Sequence, residues 1–370
     1  MSTSAFPVLV AGTGFGCRIQ VPALRAAGFQ VAGLVGADAR RTARRAADNG
    51  VPGAFTDLDE AIKRTGAVAV AVAVPPHLHA PLTLTAISRG CHVLCEKPFA
   101  MDVREARAML EAAERAGIAH AIGHEFRWTP ERALGARVIA EGRLGTPRFL
   151  TFTQFIQHVV NLDADMPPWW FDPASGGGWL GAAGSHAIDW VRTWVGEFAS
   201  VSAALPIVSA REHAVEDSFI VRFRLTNGAE GVIQQTAAAW GPMVELVRIA
   251  GTEGTLWLNG SAVWIADRQG AKELSMAPDL VLPPLPPVSE DPRQKSSKWQ
   301  WLSQLELGPY AKLCEAWRSA IEGGTQPRAV PLPTFADGLA CMEVLDAIRA
   351  SAANGGALVT IASISPKPVV

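Results

Sequence analysis

The chain has 370 residues, is 49% hydrophobic and sets 33 Lys and Arg against 35 Asp and Glu. A formal net charge of −2 without long single-sign runs excludes a polybasic nucleic-acid binder, and the apolar content suffices for two domains. The longest apolar run, AVAVAVAVPP at 67–76, is shorter than the roughly 20 helical residues a bilayer demands.

No signal peptide is read before the first apolar strand. Cys17, Cys91, Cys95, Cys314 and Cys341 lack metal-ligand spacing; they read as buried thiols in a reducing compartment, so a soluble cytoplasmic protein with no metal is expected.

In chain order, apolar strands are expected at 7–12, 30–36, 67–74 and 92–96, with helices at 40–49, 57–64, 80–89 and 102–116. Continuous apolar strands separated by helices predict a doubly wound parallel sheet, an α/β Rossmann domain over 1–125. Pro22 would break a helix interior, so the first helix should be irregular or split. From 147 the pattern changes to strands in close succession, at 147–156, 218–225, 230–238, 244–251, 254–260 and 262–267. These predict a mostly antiparallel sheet in a second domain, 126–370, with helices at 178–195, 309–322 and 335–352. The Pro- and charge-rich stretch 277–300 reads as a long loop.

Four stretches at the expected carboxyl ends of the first domain's strands carry chemistry. In VLVAGTGFGC, Gly12, Thr13, Gly14, Phe15, Gly16 and Cys17 fit a G-x-G-x-x-G/A dinucleotide loop, where glycines let the backbone approach a pyrophosphate at a helix start. The alternative is a plain glycine turn. In GLVGADARR the position that would hold a ribose-binding acid is Gly36, Asp38 is placed to cap the next helix, and Arg40 and Arg41 can meet a 2′-phosphate or lie solvated. That pattern favours NADP over NAD. Pro75 and His79 of VPPHLH and Glu96 of CEKPF would border the cofactor, His79 otherwise serving to pack a helix start. Lys97 stands between an acid and Pro98, either as a surface ion pair or as an acid/base group. Burial favours a lysine's neutral amine, the form that accepts a proton. The Lys97–Pro98 bond is a candidate for the cis isomer.

GTGFG, PPHLH, EKP at 96–98, GHEFRWTP at 123–130 and GGGWLGAAGSHAID at 176–189, in that order, resemble the family of glucose-fructose oxidoreductase, inositol dehydrogenase and rhizopine-catabolism proteins (Gfo/Idh/MocA) across essentially the whole chain. The resemblance implies a pyridine-nucleotide oxidoreductase acting on a CH–OH or carbonyl carbon of a sugar, cyclitol or similar polyol or keto-sugar. It implies a C-terminal α/β domain whose open sheet forms a homodimer or homotetramer. It also implies Lys97 as the main acid/base, His186 as a catalytic or substrate-binding partner, Asp189 at the substrate, and Arg127 beside the nicotinamide. In many members an aspartate stands four residues before the histidine; here that position is Ala182. Either Lys97 carries proton transfer with His186 binding substrate, or another group takes the carboxylate's place.

Trp169, Trp170, Phe171 and Trp179 fall close together, as a substrate wall or as an ordinary packed loop. The aromatics keep a second reading open, a dehydrogenase of a cyclic or aromatic dihydrodiol, and Ala182 keeps a third, a non-catalytic NADP(H)-binding sensor.

Overall fold

The computed structural model describes residues 6–162, 166–212, 215–282, 284, 297–325 and 330–361. Two compact units divide the chain: 1–129 with 281–339, and 130–280 with 340–370. The sequence reading placed a single cut after 125.

The first unit contains β1 (Phe6–Ala11), α1 (Val21–Ala26), β2 (Phe29–Val35), α2 (Ala39–Asp48), β3 (Gly53–Phe55), α3 (Leu58–Thr65), β4 (Ala69–Val72), α4 (His79–Ser88), β5 (His92–Cys95), α5 (Val103–Ala116) and β6 (His120–Ile122). Its six strands are parallel in the order β3-β2-β1-β4-β5-β6, the expected doubly wound sheet with its reversal of order between β1 and β4. Helix starts follow local rules. The side chains of Asp38, Asp57 and Asp102 each accept from a backbone N–H in the first turn, from Arg41, Glu60 and Glu105 at 2.7, 2.7 and 2.8 Å. Such caps are worth about 1 kcal/mol each. The first helix is split as Pro22 demands: a wide π-helical turn, Gly16–Gln20, precedes α1, and Pro22 stands in the first turn of α1, where its missing N–H costs little.

The second unit holds α6 (Pro130–Ala140), β7 (Pro147–Phe155), α7 (Ser185–Trp194), β8 (Phe198–Ala204), β9 (Ser218–Leu225), β10 (Glu230–Thr236), β11 (Val244–Gly251), β12 (Thr255–Asn259), β13 (Ala262–Asp267) and β14 (Gly270–Leu274). The nine-stranded sheet runs β14-β13-β12-β11-β7-β10-β9-β8-β15, with β15 at Val359–Thr360, and only β7 and β10 pair in parallel. Alternation along β9 buries Phe219, Val221, Phe223 and Leu225, and Trp190 of α7 stacks on Phe152 with ring centroids 5.1 Å apart. The opposite face exposes Phe149, Phe155, Ile220, Val244 and Leu246.

The expected helix at 309–322 is longer, α8 (Ser297–Ile321), with Pro309 inside it rather than at its start. Of the expected loop 277–300, Pro278–Leu280 forms a short 3₁₀ turn and α8 already begins at Ser297, while 285–296 lie outside the described residues. The chain returns through α8 to the first unit, burying Tyr310, Leu313, Cys314 and Trp317 in its core beside Phe29 and Leu24; Trp317 stacks on Phe29 at 5.2 Å. Helix α9 (Phe335–Ala353) then leads into the second unit. All five cysteines are buried thiols. Among the described residues no helix is long and apolar enough to cross a membrane.

Candidate active site

In the first unit three loops leave the carboxyl ends of adjacent strands β1, β4 and β5. Gly12 has φ 120°, and a side chain there would run into the Ala73 carbonyl oxygen after β4. Only glycine lets these two loops meet. Gly12 N–H donates to the Val35 carbonyl at 2.8 Å, which fixes the turn on β2. By contrast nothing stands within 4 Å of where a Gly14 Cβ would project. The loop formed by Thr13, Gly14 and Phe15 therefore leaves open space at a helix start, the setting a pyrophosphate fits.

After β2, Gly36 follows the strand end and Asp38 is spent on capping α2, as expected. Arg40 and Arg41 are exposed on the first turn of α2. Sequence reasoning missed Arg45, one turn further along and buried, whose guanidinium donates to the Thr13 carbonyl at 3.5 Å. Its place on the same face as Asp38 and Thr42 was the available signal.

His79 is buried, its Nδ1 2.9 Å from the Pro98 carbonyl and its Nε2 2.9 Å from the Val74 carbonyl. It ties the loop after β4, where Pro75 is half-buried, to the loop after β5. Both ring nitrogens face backbone, so its contribution to a bound cofactor is indirect. Burial pulls its pKa down to about 4.

At the end of β5 the Lys97–Pro98 peptide is cis. Glu96 is buried; its carboxylate accepts from the Tyr310 hydroxyl at 2.6 Å, from Gln20 Nε2 at 3.3 Å and from the Lys97 backbone N–H at 3.3 Å. Burial raises Glu96 to about 6, against the pull of Lys97, Tyr310 and Gln20. Lys97 itself is half-buried. Tyr310 also touches Phe15 edge-on at 5.7 Å, so α8 braces both the glycine loop and Glu96. Arg127, on the 3₁₀ turn Glu125–Trp128 after β6, is committed to Asp337 at 3.1 Å and to the Pro331 carbonyl at 3.0 Å. Its side chain is 4% exposed, which makes it a tie within this unit.

In the second unit the expected continuous helix over 178–195 is instead a wide π-helical turn, Leu180–Gly184, carrying Ala182, followed by α7. His186 and Asp189 are both buried on α7. Trp169 and Trp170 lie on the 3₁₀ turn Pro168–Phe171, half-buried. Any side chain at Gly177 would strike the Trp169 carbonyl, with the Trp170 carbonyl at 2.6 Å, so the glycine triplet is what lets the indole-bearing turn lie against the start of the next helix. His158, Trp170 and Trp179 form one aromatic cluster, with centroids 5.2 Å (His158–Trp170), 5.7 Å (His158–Trp179) and 6.1 Å (Trp170–Trp179) apart.

Comparison with known proteins agrees with this architecture. Residues 6–124 match the family described as oxidoreductase family, NAD-binding Rossmann fold, and residues 135–257 match the GFO/IDH/MocA C-terminal domain. The chain is 30% identical to levoglucosan dehydrogenase of Pseudarthrobacter phenanthrenivorans over 77% of this chain and 78% of that protein. It is likewise 30% identical to 1,5-anhydro-D-fructose reductase of Ensifer adhaerens, over 91% of this chain and 93% of the relative. A solved levoglucosan dehydrogenase in complex with NADH and levoglucosan superposes with a TM-score of 0.81 at 25% identity, covering 98% of this chain and all of that one.

Proposed function

We propose, for a chain that belongs to the GFO/IDH/MocA family of oxidoreductases, that the reaction is hydride exchange between a nicotinamide and a CH–OH carbon of a cyclic, anhydro-type sugar. The observation that carries this reading is Lys97, half-buried on a cis-proline loop at the carboxyl end of β5, on the same edge of the sheet as the glycine loop after β1, which is open at Gly14 and lies where the strand order reverses. The names of two 30% relatives, both acting on anhydrosugars, supply the substrate class.

The nicotinamide, when bound, takes up or gives the hydride. Everything else falls to the chain. The glycine loop holds the pyrophosphate on backbone N–H groups and a helix start. Lys97 Nζ takes the hydroxyl proton as the alcohol is oxidised and returns it on reduction, and as an ammonium it stabilises negative charge on the oxygen. His79 and Arg127 hold the surrounding loops. In the second unit His186, Asp189, Trp169 and Trp170 are the candidates for sugar binding, with indole faces suited to sugar C–H surfaces. With Gly36 in place of an acid and Asp38 occupied as a cap, NADP is the expected cofactor. The exposed apolar face of the second sheet is the expected contact of a cytoplasmic homodimer or homotetramer.

The test is a panel of levoglucosan, 1,5-anhydro-D-fructose, free pentoses and inositols, followed by nicotinamide absorbance with wild type and Lys97→Ala. Turnover lost by at least 100-fold in the variant, with cofactor affinity kept, is expected; full turnover would remove Lys97 from the chemistry. The aromatic cluster of His158, Trp170 and Trp179 favours one further class, cyclic dihydrodiols, and these belong on the panel. Cofactor binding without turnover on any member would favour a sensor.

A further inference from the structure

Two carboxyl groups lie buried behind Lys97, and the proposed reaction uses neither. Glu96 is 6% exposed and Glu125, on the turn after β6, 1%. The Glu96 carboxylate lies so close to Gly123 that a Cβ there would come within 2.8 and 2.9 Å of its two oxygens. Glu96 is well supplied with donors, whereas Glu125 Oε2 is buried with no hydrogen-bond partner among the described residues. An ionised carboxylate left in that state carries a large desolvation cost, while the neutral acid avoids most of it.

The surrounding charges leave the same preference. The Lys97 cation acts on both acids. Glu306 of α8 adds a like charge but is itself paired with Arg18 at 3.2 Å. The Tyr310 hydroxyl and Cys314 thiol, also from α8, are both pushed upward by burial and stay neutral. Burial and the charge on Glu96 push Glu125 well above the usual carboxylate range.

We propose that Glu125 is a positioning residue for the acid/base group: Glu96 and Glu125 hold one proton between them at neutral pH, so the interior presents one negative charge to Lys97. With two charges the lysine would keep its proton too tightly to accept another from substrate. With none, the ammonium would lose its balancing charge. The inference rests on Lys97 as acid/base, but the acid pair can be tested without turnover.

Tyr310 is the only tyrosine in the chain and donates directly to Glu96, so biosynthetic 3-fluorotyrosine gives a single ¹⁹F resonance beside the pair. The expected wild-type titration has two steps, as coupled acids require: one near 6 and a second at higher pH. Glu96→Gln should leave one step, moved down because the charge that held Glu125 up is gone, and Glu125→Gln should remove the second step. A single wild-type step, or a second step that survives in Glu125→Gln, would overturn the shared proton.

The link to Lys97 is read from the pH dependence of kcat/KM on whichever panel sugar turns over. Glu96→Gln should change kcat/KM about tenfold at fixed pH, since it removes the charge that faces Lys97, and Glu125→Gln should alter only the alkaline side. Unmoved profiles beside a two-step resonance would overturn the positioning role. Loss of the Lys97→Ala effect would instead remove the parent reading and leave the pair standing.

Discussion

His79 sets two physical effects against each other. Its two ring nitrogens each lie 2.9 Å from a carbonyl oxygen, and a neutral imidazole can donate to only one of them. Hydrogen bonding alone would favour the imidazolium, which donates to both. Burial opposes this, and its lead over the two carbonyls brings the pKa to about 4 from the ordinary 6.5. That difference corresponds to about 3 kcal/mol. The sign follows from proton counting: between about 4 and 6.5 the unfolded chain takes up a proton at this position and the folded chain does not. The stabilisation is complete above the unfolded value and is lost as pH falls toward about 4.

Replacing His79 by Gln keeps one donor and removes the titration. The stability difference between wild type and His79→Gln, measured by urea unfolding from pH 7.5 to pH 4.5, should shift against wild type by about 2.5 kcal/mol on acidification. A wild type that gains on the variant as pH falls, or a carbon resonance of the imidazole titrating above 6.5, would refute the primacy of burial and establish a doubly donating imidazolium between the two loops.

Gly12→Ala should cost about 1–3 kcal/mol in backbone strain alone and abolish NAD(P)H binding, read by thermal unfolding and nicotinamide fluorescence, since the Cβ meets the Ala73 carbonyl. Titration with NADPH and NADH should show preference for NADPH, reduced about tenfold or more in Arg41→Ala, as loss of a charge-assisted phosphate contact predicts. Equal NADH binding would return the ribose to Asp38. Leu246→Glu, on the exposed sheet face, should lower the mass seen by analytical ultracentrifugation without changing the circular dichroism spectrum; an unchanged mass would exclude this face as the oligomer contact.

The features legible in the sequence were those written in local chemistry. The Gly12 turn, the break at Pro22, the Asp38 cap and strand β9, read at 218–225 and observed at Ser218–Leu225, each follow from a few adjacent residues. Strands β3 and β6 escaped because each has only three residues, too few for a pattern to show. Helix α6, strand β8 and edge strands β14 and β15 were missed as well; β15 has two residues and β14 is almost wholly exposed. Pro309 misled in the opposite direction: proline usually bounds a helix, and here it lies inside one. The acid pair was illegible for another reason. Tyr310 meets Glu96 across 214 positions, and no periodicity encodes a contact between segments so far apart.

The return of α8 has a consequence for the order in which the protein is made. The first unit is begun by the N-terminal residues but finished by a helix at 297–321, which brings Trp317 to Phe29 and Tyr310 to Phe15 and Glu96. As the chain leaves the ribosome, the whole second sheet through β14 is synthesised before those side chains exist. Until then the nascent sheet exposes the apolar surface that α8 will cover, and the glycine loop lacks its brace. The nucleotide-binding unit, first in the gene, is therefore among the last parts of the molecule to be completed.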